Sequence, residues 1–510
     1  MDFIVALSPI LLILGILFFL RKTTLQAGVY TYIYTLFLVF LFPNFKLKGG
    51  EALLATYHGF LIAFIAAYVL FFGILLFNLM NSVGAIEKIA HSIAKATDDG
   101  IVQVLILGVG LSPLIESTSG FGVAVMMVTP IFIALGYPVF KGILLGLISL
   151  MAIPWGAMSI GTIIGAEMGG VDLLNLGLGT AFLSVLPIAF FILSSIYIAG
   201  GWEGLKRRFP LGILFSLSFT TSLIIFNYLG AVELAGVLSG LVVLGLGFLL
   251  IKSNSVVSSA KGSHPADEEL TIDEAPTTGT SSTKVTAPSL FRIFSPYLLL
   301  TAMILVTRLL PPVKNYLENN FILEVPRFSY SLALLYSPGF WLFLTCLWTI
   351  FLFKIKKDDL KEALRKSIKQ WIPFTVVTTA FVSISEVMST AGMIEVVAGT
   401  MASSLGSAFL MISPLIGALG GFLTGSNASS NAMLIKLQTQ TAFQVGASPE
   451  LASIVQNTSS SHTTMASPAR VALGASLYGV GDQENALLRR ILLFAGGGVG
   501  LVILSLLIWY

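Results

Sequence analysis

The sequence predicts an all-α polytopic membrane protein, and the chain's composition and the length of its apolar runs are the observations that predict this class. Hydrophobic residues make up 56% of the 510 residues and charged residues only 10%, with a mean hydropathy of +0.92. Because soluble domains carry about a quarter charged residues, this composition excludes an ordinary soluble enzyme, a disordered regulator and a coiled coil. The apolar runs are continuous rather than alternating, which is typical of membrane-spanning helices.

Charge and cysteine content exclude further classes. The net charge of +3 gives no electric field that would favour nucleic acid. The single cysteine, Cys346, excludes a disulfide framework and any metal site built only from cysteines. We therefore expect the lipid bilayer as a partner, no nucleic-acid partner, and neither a cofactor nor a metal.

About twelve transmembrane helices are predicted, because a span needs about 20 mostly apolar residues and twelve segments meet or approach that length. Counted from the first, they leave both ends of the chain outside the cell. The segments are Phe3–Leu20, Gly28–Phe42, Ala52–Leu79, Phe140–Ile164, Leu173–Ile198, Leu211–Leu229, Val232–Ile251, Pro296–Leu310, Phe340–Phe353, Trp371–Met388, Pro449–Leu477 and Ile491–Tyr510.

Basic residues indicate which side of the membrane is the cytoplasm. Lys206–Arg208, Lys252–Pro288, Lys354–Lys369 and Arg489–Arg490 all fall on one side in this count. Because Lys and Arg concentrate in cytoplasmic loops, we expect these segments on the cytoplasmic side of the plasma membrane. Lys354–Lys369 mixes charges with apolar residues and is predicted to be a helix on the membrane surface. The first segment lacks a basic leader and is predicted to be a retained span.

A polar stretch divides the chain into two halves. Residues 252–289 are rich in Ser and Thr and show no apolar period, which is typical of a flexible, solvated linker. The prediction is a first half over residues 1–251, a cytoplasmic linker over 252–289 and a second half over 290–510.

The two halves share short motifs in the same order. Gly84–Ala90 is matched by Gly392–Ala398 at a displacement of 308 residues, and Ser112–Ile115 by Ser413–Ile416 at a displacement of 301. The charge count places the Gly84 motif on the cytoplasmic side and the Gly392 motif outside, so the two copies are predicted to be inverted. Inverted repeats are typical of secondary transporters, which bind substrate near the middle of the membrane where the repeats meet.

Each half contains a long apolar stretch that Gly, Ser and Pro interrupt, over residues about 101–135 and about 403–442. Both stretches are too long for one crossing, and each is predicted to be a re-entrant hairpin. A helix that restarts at a hairpin tip offers free N–H groups and a positive dipole end, which suit a carboxylate. For the glycines, close helix packing is an equally good explanation. The tip residues predicted to bind substrate are Ser117, Thr118, Ser119, Gly120, Gly425, Ser426, Asn427, Ser429, Ser430 and Asn431.

A second polar interruption follows each hairpin, at Pro154–Thr162 and at the matching residues Val455–Thr463. Both are predicted to be unwound segments that face the hairpin tips, since non-helical backbone at membrane depth must be buried in protein or line water. Asn457 and Ser459 are predicted to bind substrate there. Two hairpins and two unwound segments would enclose one central site.

Ionisable residues within the predicted membrane region are candidates for function. Glu116 is predicted to carry a proton, because burial favours the neutral carboxyl group, although pairing with a basic residue is an equally good alternative. Glu386 and His462 are further proton candidates, and a histidine in a polar run can also be simply hydrogen-bonded. Arg470 and Lys436 are the cations predicted to hold an anionic substrate.

Together these motifs resemble the L-lactate permease family, and the likeness runs from about Leu53 to Arg490. The resemblance rests on Glu116–Gly122, Leu423–Ser426, Ser429–Ala432, Leu437–Gln438 and Ser467–Pro468. It implies import of lactate, and often glycolate, together with protons, in an elevator-like fold whose hairpin-bearing transport domain moves past a scaffold. It also implies substrate or proton roles for Glu116, Ser426, Ser429, Ser430 and Asn431.

The chain departs from the family pattern at three places. Ser117-Thr118-Ser119 stands where the family usually has Gly-Ala-Ala, and Val123-Ala124 stands where it usually has Thr-Pro. Thr464 stands where the family commonly has a lysine. Arg470 and Lys436 offer a relocated positive charge. A carboxylate substrate is therefore still expected, and the more polar first tip would also suit a more hydroxylated acid or a sodium ion.

These observations predict a transporter and not an enzyme, importing a short 2-hydroxy monocarboxylate (L-lactate, D-lactate or glycolate) by proton symport. The alternatives are a sodium-coupled carboxylate carrier, a passive anion channel, and an intramembrane serine hydrolase using Ser459 or Ser461 with His462. The hydrolase is disfavoured because adjacent helical residues do not face each other and no G-x-S-x-G elbow is present. A homodimer is compatible with the sequence.

Overall fold

The computed structural model describes residues 2–20, 22–120, 122–252, 290–328 and 330–509. A π-helical turn, Ile106–Leu111, joins the two parts of one long helical arm between α5 and α6. The helices before the linker are α1 (Asp2–Phe18), α2 (Thr24–Leu41), α3 (Gly49–Ser82), α4 (Ala85–Ala96), α5 (Gly100–Leu105), α6 (Ser112–Ser119), α7 (Val123–Ala134), α8 (Val139–Ile148), α9 (Gly156–Gly169), α10 (Leu173–Leu183), α11 (Val185–Tyr228) and α12 (Ala235–Lys252).

The part after the linker is also mainly helical. Its one ribbon pairs β1 (Ile322–Val325) with β2 (Tyr330–Ala333) in antiparallel register, so the predicted all-α class is confirmed apart from these two short strands. The helices are α13 (Leu290–Leu309), α14 (Pro311–Glu318), α15 (Pro338–Phe353), α16 (Lys357–Thr390), α17 (Met393–Leu405), α18 (Phe409–Thr424), α19 (Asn427–Gln444), α20 (Pro449–Thr463), α21 (Pro468–Leu477) and α22 (Glu484–Trp509).

The helices are long and apolar enough for a membrane protein. Among the described residues, ten helical segments could cross a bilayer by length and composition, and four shorter apolar helices accompany them. This confirms the predicted polytopic class, whereas the number of twelve crossings stays a prediction.

Two helices of 34 residues each, α3 and α16, pack side by side in opposite directions. A methyl group added at Gly59 would lie 2.8 Å from Ser383, while Asn78 Nδ2 donates a hydrogen bond to Ser367 Oγ at 2.9 Å. The contact positions rise along α3 as they fall along α16, so the two helices are antiparallel. We call them the helix pair.

Both predicted re-entrant hairpins are present. In hairpin 1, α5 and α6 form the first arm and α7 the second, and the chain reverses at Gly120 and Gly122, which both have positive φ. In hairpin 2, α18 and α19 form the arms, and Gly425 has a φ of 63° at the reversal. The first arm of hairpin 2 begins at Phe409 and not near residue 403, because α17 continues to Leu405.

The hairpins enter the protein from opposite faces. Hairpin 1 follows α4 at the Ser82 end of α3. Hairpin 2 follows α17 at the opposite end of the helix pair, where Lys436 on its second arm contacts Glu386 near the end of α16. Because the helix pair is antiparallel, the two repeats have inverted orientations.

A broken helix follows hairpin 1, as predicted for Pro154–Thr162. Between α8 and α9 the chain forms a 3₁₀ segment, Ser149–Trp155. The next residues, Ala157, Met158 and Ser159, all have positive φ, between 42° and 63°. The regular helix resumes only after this left-handed turn.

The interruption predicted at Val455–Thr463 was wrong in position. These residues are helical and belong to α20, and the break comes later, as a 3₁₀ turn at Thr464–Ala466 followed by extended Ser467. Hydroxyl groups in the run donate back to carbonyls one turn earlier, for example Thr458 to Ile454 at 2.7 Å. A helix that satisfies its polar side chains in this way can be buried without unwinding.

Other predicted boundaries also need correction. Lys354–Lys369 does not form a separate surface helix, since most of it is the first part of the continuous helix α16, which also contains the predicted span Trp371–Met388. Lys206–Arg208 is not a loop and lies within α11. The chain reverses earlier, at Gly201, whose φ is 64°. The physical reason is that both charged segments consist largely of good helix formers, whereas Gly201 adopts positive φ without steric cost and so allows the reversal.

Two predicted spans divide into two helices. Leu173–Ile198 divides at Ser184 into α10 and the start of α11, and Pro449–Leu477 divides into α20 and α21. The linker prediction falls on residues of which only Lys252 is described, so residues 253–289 lie outside the described part of the chain. The division into two halves stays a prediction.

Candidate functional site

A small cavity lies where the two hairpin tips meet the left-handed turn of α9 and the start of α21. Its volume is about 70 Å³. The side chains and backbone that line it come from both repeats and from α16 of the helix pair. The lining residues are Glu116, Gly120, Ile153, Gly156, Ala157, Ile160, Gly161, Phe374, Gly425, Ser426, Asn427, Ala428 and Arg470.

Glu116 places a carboxylate in the cavity. It lies on the last turn of α6 and is 2% exposed. Its Oε1 accepts a hydrogen bond from the backbone N–H of Gly122 at 3.1 Å, across the hairpin turn. Its Oε2 is buried and has no hydrogen-bond partner among the described residues. One half of the carboxylate therefore stabilises the tip, and the other half is open to a ligand or a proton.

Arg470 faces Glu116 from the opposite wall. It lies in the first turn of α21, directly after the break in the helix. The Ser467 hydroxyl caps α21 by accepting from the Arg470 N–H at 3.4 Å. Its Nη2 is 3.8 Å from Glu116 Oε1, and its Nη1 is buried without a hydrogen-bond partner in the described part of the chain. A guanidinium with an unused N–H in a closed cavity is suited to bind a carboxylate oxygen.

The start of α19 forms a third side of the cavity. Gly425 ends α18 in the left-handed conformation, and the Ser426 hydroxyl caps α19 by accepting from the Ser429 N–H at 3.2 Å. Asn427 and Ala428, the first two residues of α19, line the cavity. The first N–H groups of a helix have no acceptor within it and carry the positive end of its dipole. The tip of hairpin 2 therefore has the features that suit an anion.

The left-handed turn of α9 forms the fourth side. A left-handed turn costs roughly 1–2 kcal/mol for each residue other than glycine, and here three such residues adopt it. Ser159 Oγ donates to the carbonyl of Val232 at 2.9 Å, and Thr162 Oγ1 donates to the carbonyl of Pro154 at 2.7 Å. These bonds hold the turn so that Ala157 packs against hairpin 1: a methyl group added at Gly120 would lie 2.7 Å from Ala157 Cβ.

Six of the residues predicted from the sequence meet at the cavity, and several others do not. The six are Glu116, Gly120, Gly425, Ser426, Asn427 and Arg470. Ser117, Thr118 and Ser119 do not line it. The hydroxyls of Thr118 and Ser119 donate to carbonyls of their own helix, and Ser117 lies against α12. On a helix, only about one residue in three or four faces the same side, which explains why the run Glu116–Ser119 contributes only Glu116.

A buried polar network behind the cavity contains other predicted substrate ligands. Asn457 Oδ1 accepts from Asn427 Nδ2 and Asn431 Nδ2, each at 2.8 Å, and Asn457 Nδ2 donates to Thr180 Oγ1 at 2.9 Å. The Ser430 hydroxyl accepts from Gln456 at 3.0 Å.

The remaining hydroxyls predicted as ligands also bond within the protein or lie away from the cavity. Ser459 donates to the carbonyl of Val455, and Ser429, in the first turn of α19, is buried and is not among the lining residues. Neither hydroxyl lines the cavity.

Three ionisable candidates lie elsewhere. Lys436 follows Asn427 by nine residues on α19, about 13 Å along the helix, and pairs with Glu386 at 2.6 Å. His462 Nε2 lies 3.1 Å from Ser184 Oγ, and its ring packs against Phe191. It belongs to the interface between α20 and α11 and does not line the cavity.

The sequence reasoning missed part of the lining. The predicted interruption contains three small residues that line the cavity, Gly156, Ala157 and Gly161. Their small size was the sequence feature that could have identified them, because larger side chains would not fit: a methyl group at Gly161 would lie 2.4 Å from Asn427 Nδ2. Phe374 follows Pro373 in an apolar helix and carries no sequence signal. Across the described residues, no group of three or more His, Cys, Asp or Glu side chains is arranged to hold a metal ion.

Two inverted hairpins that meet at a buried, charged cavity define the class of membrane transporters built from inverted repeats. Comparison with known proteins identifies the family. The L-lactate permease family model matches residues 2–507, and the chain belongs to this family. The resemblance predicted from the motifs is thus confirmed, and the protein is a multi-pass transporter of the plasma membrane and not an enzyme.

Individual relatives agree over nearly the whole chain. Glycolate permease GlcA of Escherichia coli (strain K12) is 27% identical over 95% of this chain and 91% of its own length. The L-lactate permease of Salmonella typhimurium is 25% identical over 95% of this chain and 92% of its own. The crystal structure of the Alcanivorax borkumensis YdaH transporter covers 96% of this chain and 98% of its own with a TM-score of 0.52 at 13% identity. That likeness concerns the fold alone.

Proposed function

We propose that the protein imports a short 2-hydroxy monocarboxylate, of the lactate and glycolate class, by proton symport. The family and the relatives named above support the substrate class. The single observation that carries the coupling is the charge of the cavity: among its described lining residues, one guanidinium, Arg470, faces one carboxylate, Glu116.

Charge balance in this cavity links the substrate to a proton. Without substrate, Arg470 and Glu116 neutralise each other at 3.8 Å. A substrate carboxylate that binds Arg470 brings a second negative charge into a buried space, where an unbalanced charge is costly. Protonation of Glu116 at its unpartnered Oε2 restores neutrality. The substrate anion and the proton therefore favour each other's binding.

The rest of the lining suits a small hydroxy acid. The N–H groups at the start of α19 and the Nη1 of Arg470 are donors for a carboxylate, and the Asn427 amide and Ser426 hydroxyl lie beside them for an α-hydroxyl group. A cavity volume of about 70 Å³ is small and favours an acid of two or three carbons over a larger acid such as citrate.

Movement of the hairpins relative to the helix pair would give access from each side in turn. The two hairpins pack together with α9 and α20, and we call this group of helices the hairpin core. The cavity lies between the hairpin core and Phe374 of α16. Sliding at this boundary, which we call the seam, would expose the cavity first to one face and then to the other. This elevator-like step is part of the proposal, and a homodimer, with which the sequence is compatible, is not tested by the structure.

A transport assay with separate gradients tests the proposal. The purified protein is reconstituted in vesicles with the pH and sodium gradients set independently, and uptake of labelled L-lactate, D-lactate and glycolate is measured. We expect concentrative uptake that follows the pH gradient and ignores sodium. Uptake that follows sodium and ignores pH would contradict proton coupling, and accumulation of none of the three acids would contradict the substrate class.

A further inference from the structure

A second ionisable cluster lies outside the cavity, in the seam between the hairpin core and the helix pair. The Glu386 carboxylate contacts Lys436 Nζ at 2.6 Å through Oε1 and His58 Nδ1 at 3.1 Å through Oε2. Glu386 is 6% exposed, whereas the side chains of Lys436 and His58 are 22% and 28% exposed. The cluster therefore joins a buried anion to two groups that water reaches.

The cluster contains residues of both bodies that meet at the seam. Lys436 is on α19 of hairpin 2, whereas Glu386 and His58 are on α16 and α3 of the helix pair. On its other side His58 faces Glu167, an acidic residue of α9, close enough for their charges to interact. Reading across the seam, the order is Lys436, Glu386, His58, Glu167, with a residue of the hairpin core at each end.

The remaining groups around His58 are aromatic. Phe328, from the turn of the β ribbon, stacks on the imidazole with ring centroids 5.1 Å apart and planes 9° apart. Tyr57, next to His58 on α3, lies near Tyr330 of β2, and Tyr330 lies near Glu167. A tyrosine hydroxyl is ordinarily neutral near pH 7. Glu386 and Glu167 are thus the anions that face His58, and Lys436 is the cation on the far side of Glu386.

The position of the cluster connects it with access to the cavity. Lys436 is nine residues from Asn427 on α19, and Glu386 is twelve residues from Phe374 on α16, so both lie roughly 13–18 Å from the cavity toward the same face. Between cluster and cavity, the apolar side chains of Phe381, Ala432 and Met433 fill the seam. By the distribution of basic residues this face is the outer one, and in this structure the seam is closed toward it.

We propose that His58 is an outer proton-binding site whose protonation locks the helix pair onto the hairpin core and keeps the cavity closed toward the outside. With a proton on His58, the four groups form an alternating row of positive and negative charges, and each end of the row ties the helix pair to the core. With neutral imidazole, Glu167 loses its partner and the outer end of the seam is free to open. Imidazole is the side chain that changes charge near neutral pH.

A buried ion pair is better suited to a reversible contact between two bodies than to a permanent one. Apolar side chains of similar volume often hold a buried interface as well as an ion pair does, or better, so static stability does not call for Glu386 and Lys436 here. An ion pair at a wetted edge can instead separate and form again as the two bodies slide. The inference rests on the proposed function only in that the cavity is the transport site.

Thiol labelling without substrate tests the lock independently of the substrate's identity. The native Cys346 is 2% exposed, so Ala428→Cys, which places a thiol in the cavity, supplies the reactive group. Right-side-out vesicles are treated with a membrane-impermeant maleimide at about pH 6 and pH 7.5, on either side of the histidine range. The labelling rate is divided by that of Asn319→Cys, an exposed position after α14, which corrects for the chemistry of the reagent.

We expect the corrected rate to be roughly three-fold slower at pH 6, the magnitude of one partly exposed ion pair. Adding His58→Gln, which can donate to Glu386 but cannot be charged, should give the fast rate at both pH values. Adding His58→Lys, which is always charged, should give the slow rate at both. The opposite directions of these two variants rule out general misfolding as their cause.

A matched histidine controls for nonspecific effects. His462→Gln removes a buried histidine that contacts Ser184 on the other side of the core, and the pH ratio should stay as in the parent. The proposal is overturned if His58→Gln keeps the parent's pH ratio, or if no labelling occurs at pH 7.5. The two proposals can fail separately. Labelling can lack its pH dependence in a protein that still takes up lactate, and lactate uptake can be absent in a protein whose labelling still depends on pH.

Discussion

The tips of the two hairpins share a glycine turn but differ in their chemistry. The tip of hairpin 1 turns at Gly120 and Gly122 and directs the carboxylate of Glu116 into the cavity. The tip of hairpin 2 turns at Gly425 and presents the capped N-terminus of α19. The position of hairpin 2 that matches Glu116 at the displacement of 301 residues is Gly417.

The difference shows which features both copies of an inverted repeat share and which differ between them. The reversal of the backbone at membrane depth needs positive φ, which glycine adopts without steric cost, and both copies have it. The ionisable group is present at one tip only, because a second carboxylate beside the first would leave Arg470 with too much negative charge to balance. In the proposed function, one tip thus offers the proton acceptor and the other the donors for an anion.

Removing Arg470, the cation that faces Glu116 at the tip of hairpin 1, is expected to have the largest effect. Arg470→Ala leaves the Glu116 carboxylate buried without its cation and removes the proposed contact to substrate, a loss of about 3–5 kcal/mol. Lactate binding by calorimetry should weaken by more than about 100-fold. Arg470→Lys, which keeps the charge and loses the planar fork, should fall in between. Binding of normal strength in Arg470→Ala would show that the cavity is not the substrate site.

Making the first tip neutral, like the second, should separate binding from coupling. Glu116→Gln keeps the size of the side chain but cannot exchange a proton, so exchange of labelled for unlabelled lactate should persist while accumulation driven by a pH gradient disappears. Glu395→Gln, at an exposed glutamate of the repeated motif on α17, is the control and should accumulate lactate normally. Accumulation that survives in Glu116→Gln would assign the proton to another group.

Substitution of two asparagines on α19 should distinguish a residue that lines the cavity from one that belongs to the buried polar network behind it. Asn427 lines the cavity, and Asn431, one turn later, bonds to the Gly161 carbonyl and to Asn457. Asn427→Ala should raise the KM of uptake by about ten-fold. Asn431→Ala should mainly lower the melting temperature, since it breaks buried hydrogen bonds. Equal effects of the two changes on KM would argue against this division.

Removing the cap at the second tip should have the smallest effect. Ser426→Ala loses the hydroxyl that accepts from the Ser429 N–H and should cost about 1 kcal/mol, with a rise in KM of about three- to five-fold. Ser448 caps α20 in the same way, by accepting from the Leu451 N–H, and is far from the cavity. Ser448→Ala should therefore cost similar stability and leave KM unchanged. A change in KM with both variants would indicate a general loss of packing.

Much of the fold could be predicted from the sequence because the bilayer restricts it. Breaks in apolar runs, such as Ser112-Pro113 and Thr424–Asn427, need a reason at membrane depth, and they located both hairpins. The second interruption was misplaced because polarity alone does not unwind a helix: the hydroxyls of α20 return to carbonyls such as Ile454 and Gln456. A helix with internally satisfied polar side chains has the same composition as a loop.

The candidate site was less predictable because it depends on rotation about each helix. Lys436 and Arg470 were equally good cations in the sequence, yet one pairs with Glu386 in the seam and the other faces Glu116 in the cavity. The sequence also gave no reason to place His58, some 330 residues from Glu386, beside it. Contacts between distant segments follow from packing, which no local pattern contains.

By itself the sequence determined the class of the protein, the inverted repeat and the positions where the chain must reverse, because these follow from hydrophobicity, charge placement and glycine. The tertiary structure alone decided which charges meet. A buried ionisable side chain is stable only beside a partner. The position of α21 opposite Glu116 of α6, and the packing of α19 against α16, select that partner. Transport chemistry is therefore fixed by the helix interfaces, whereas the membrane architecture is fixed by composition.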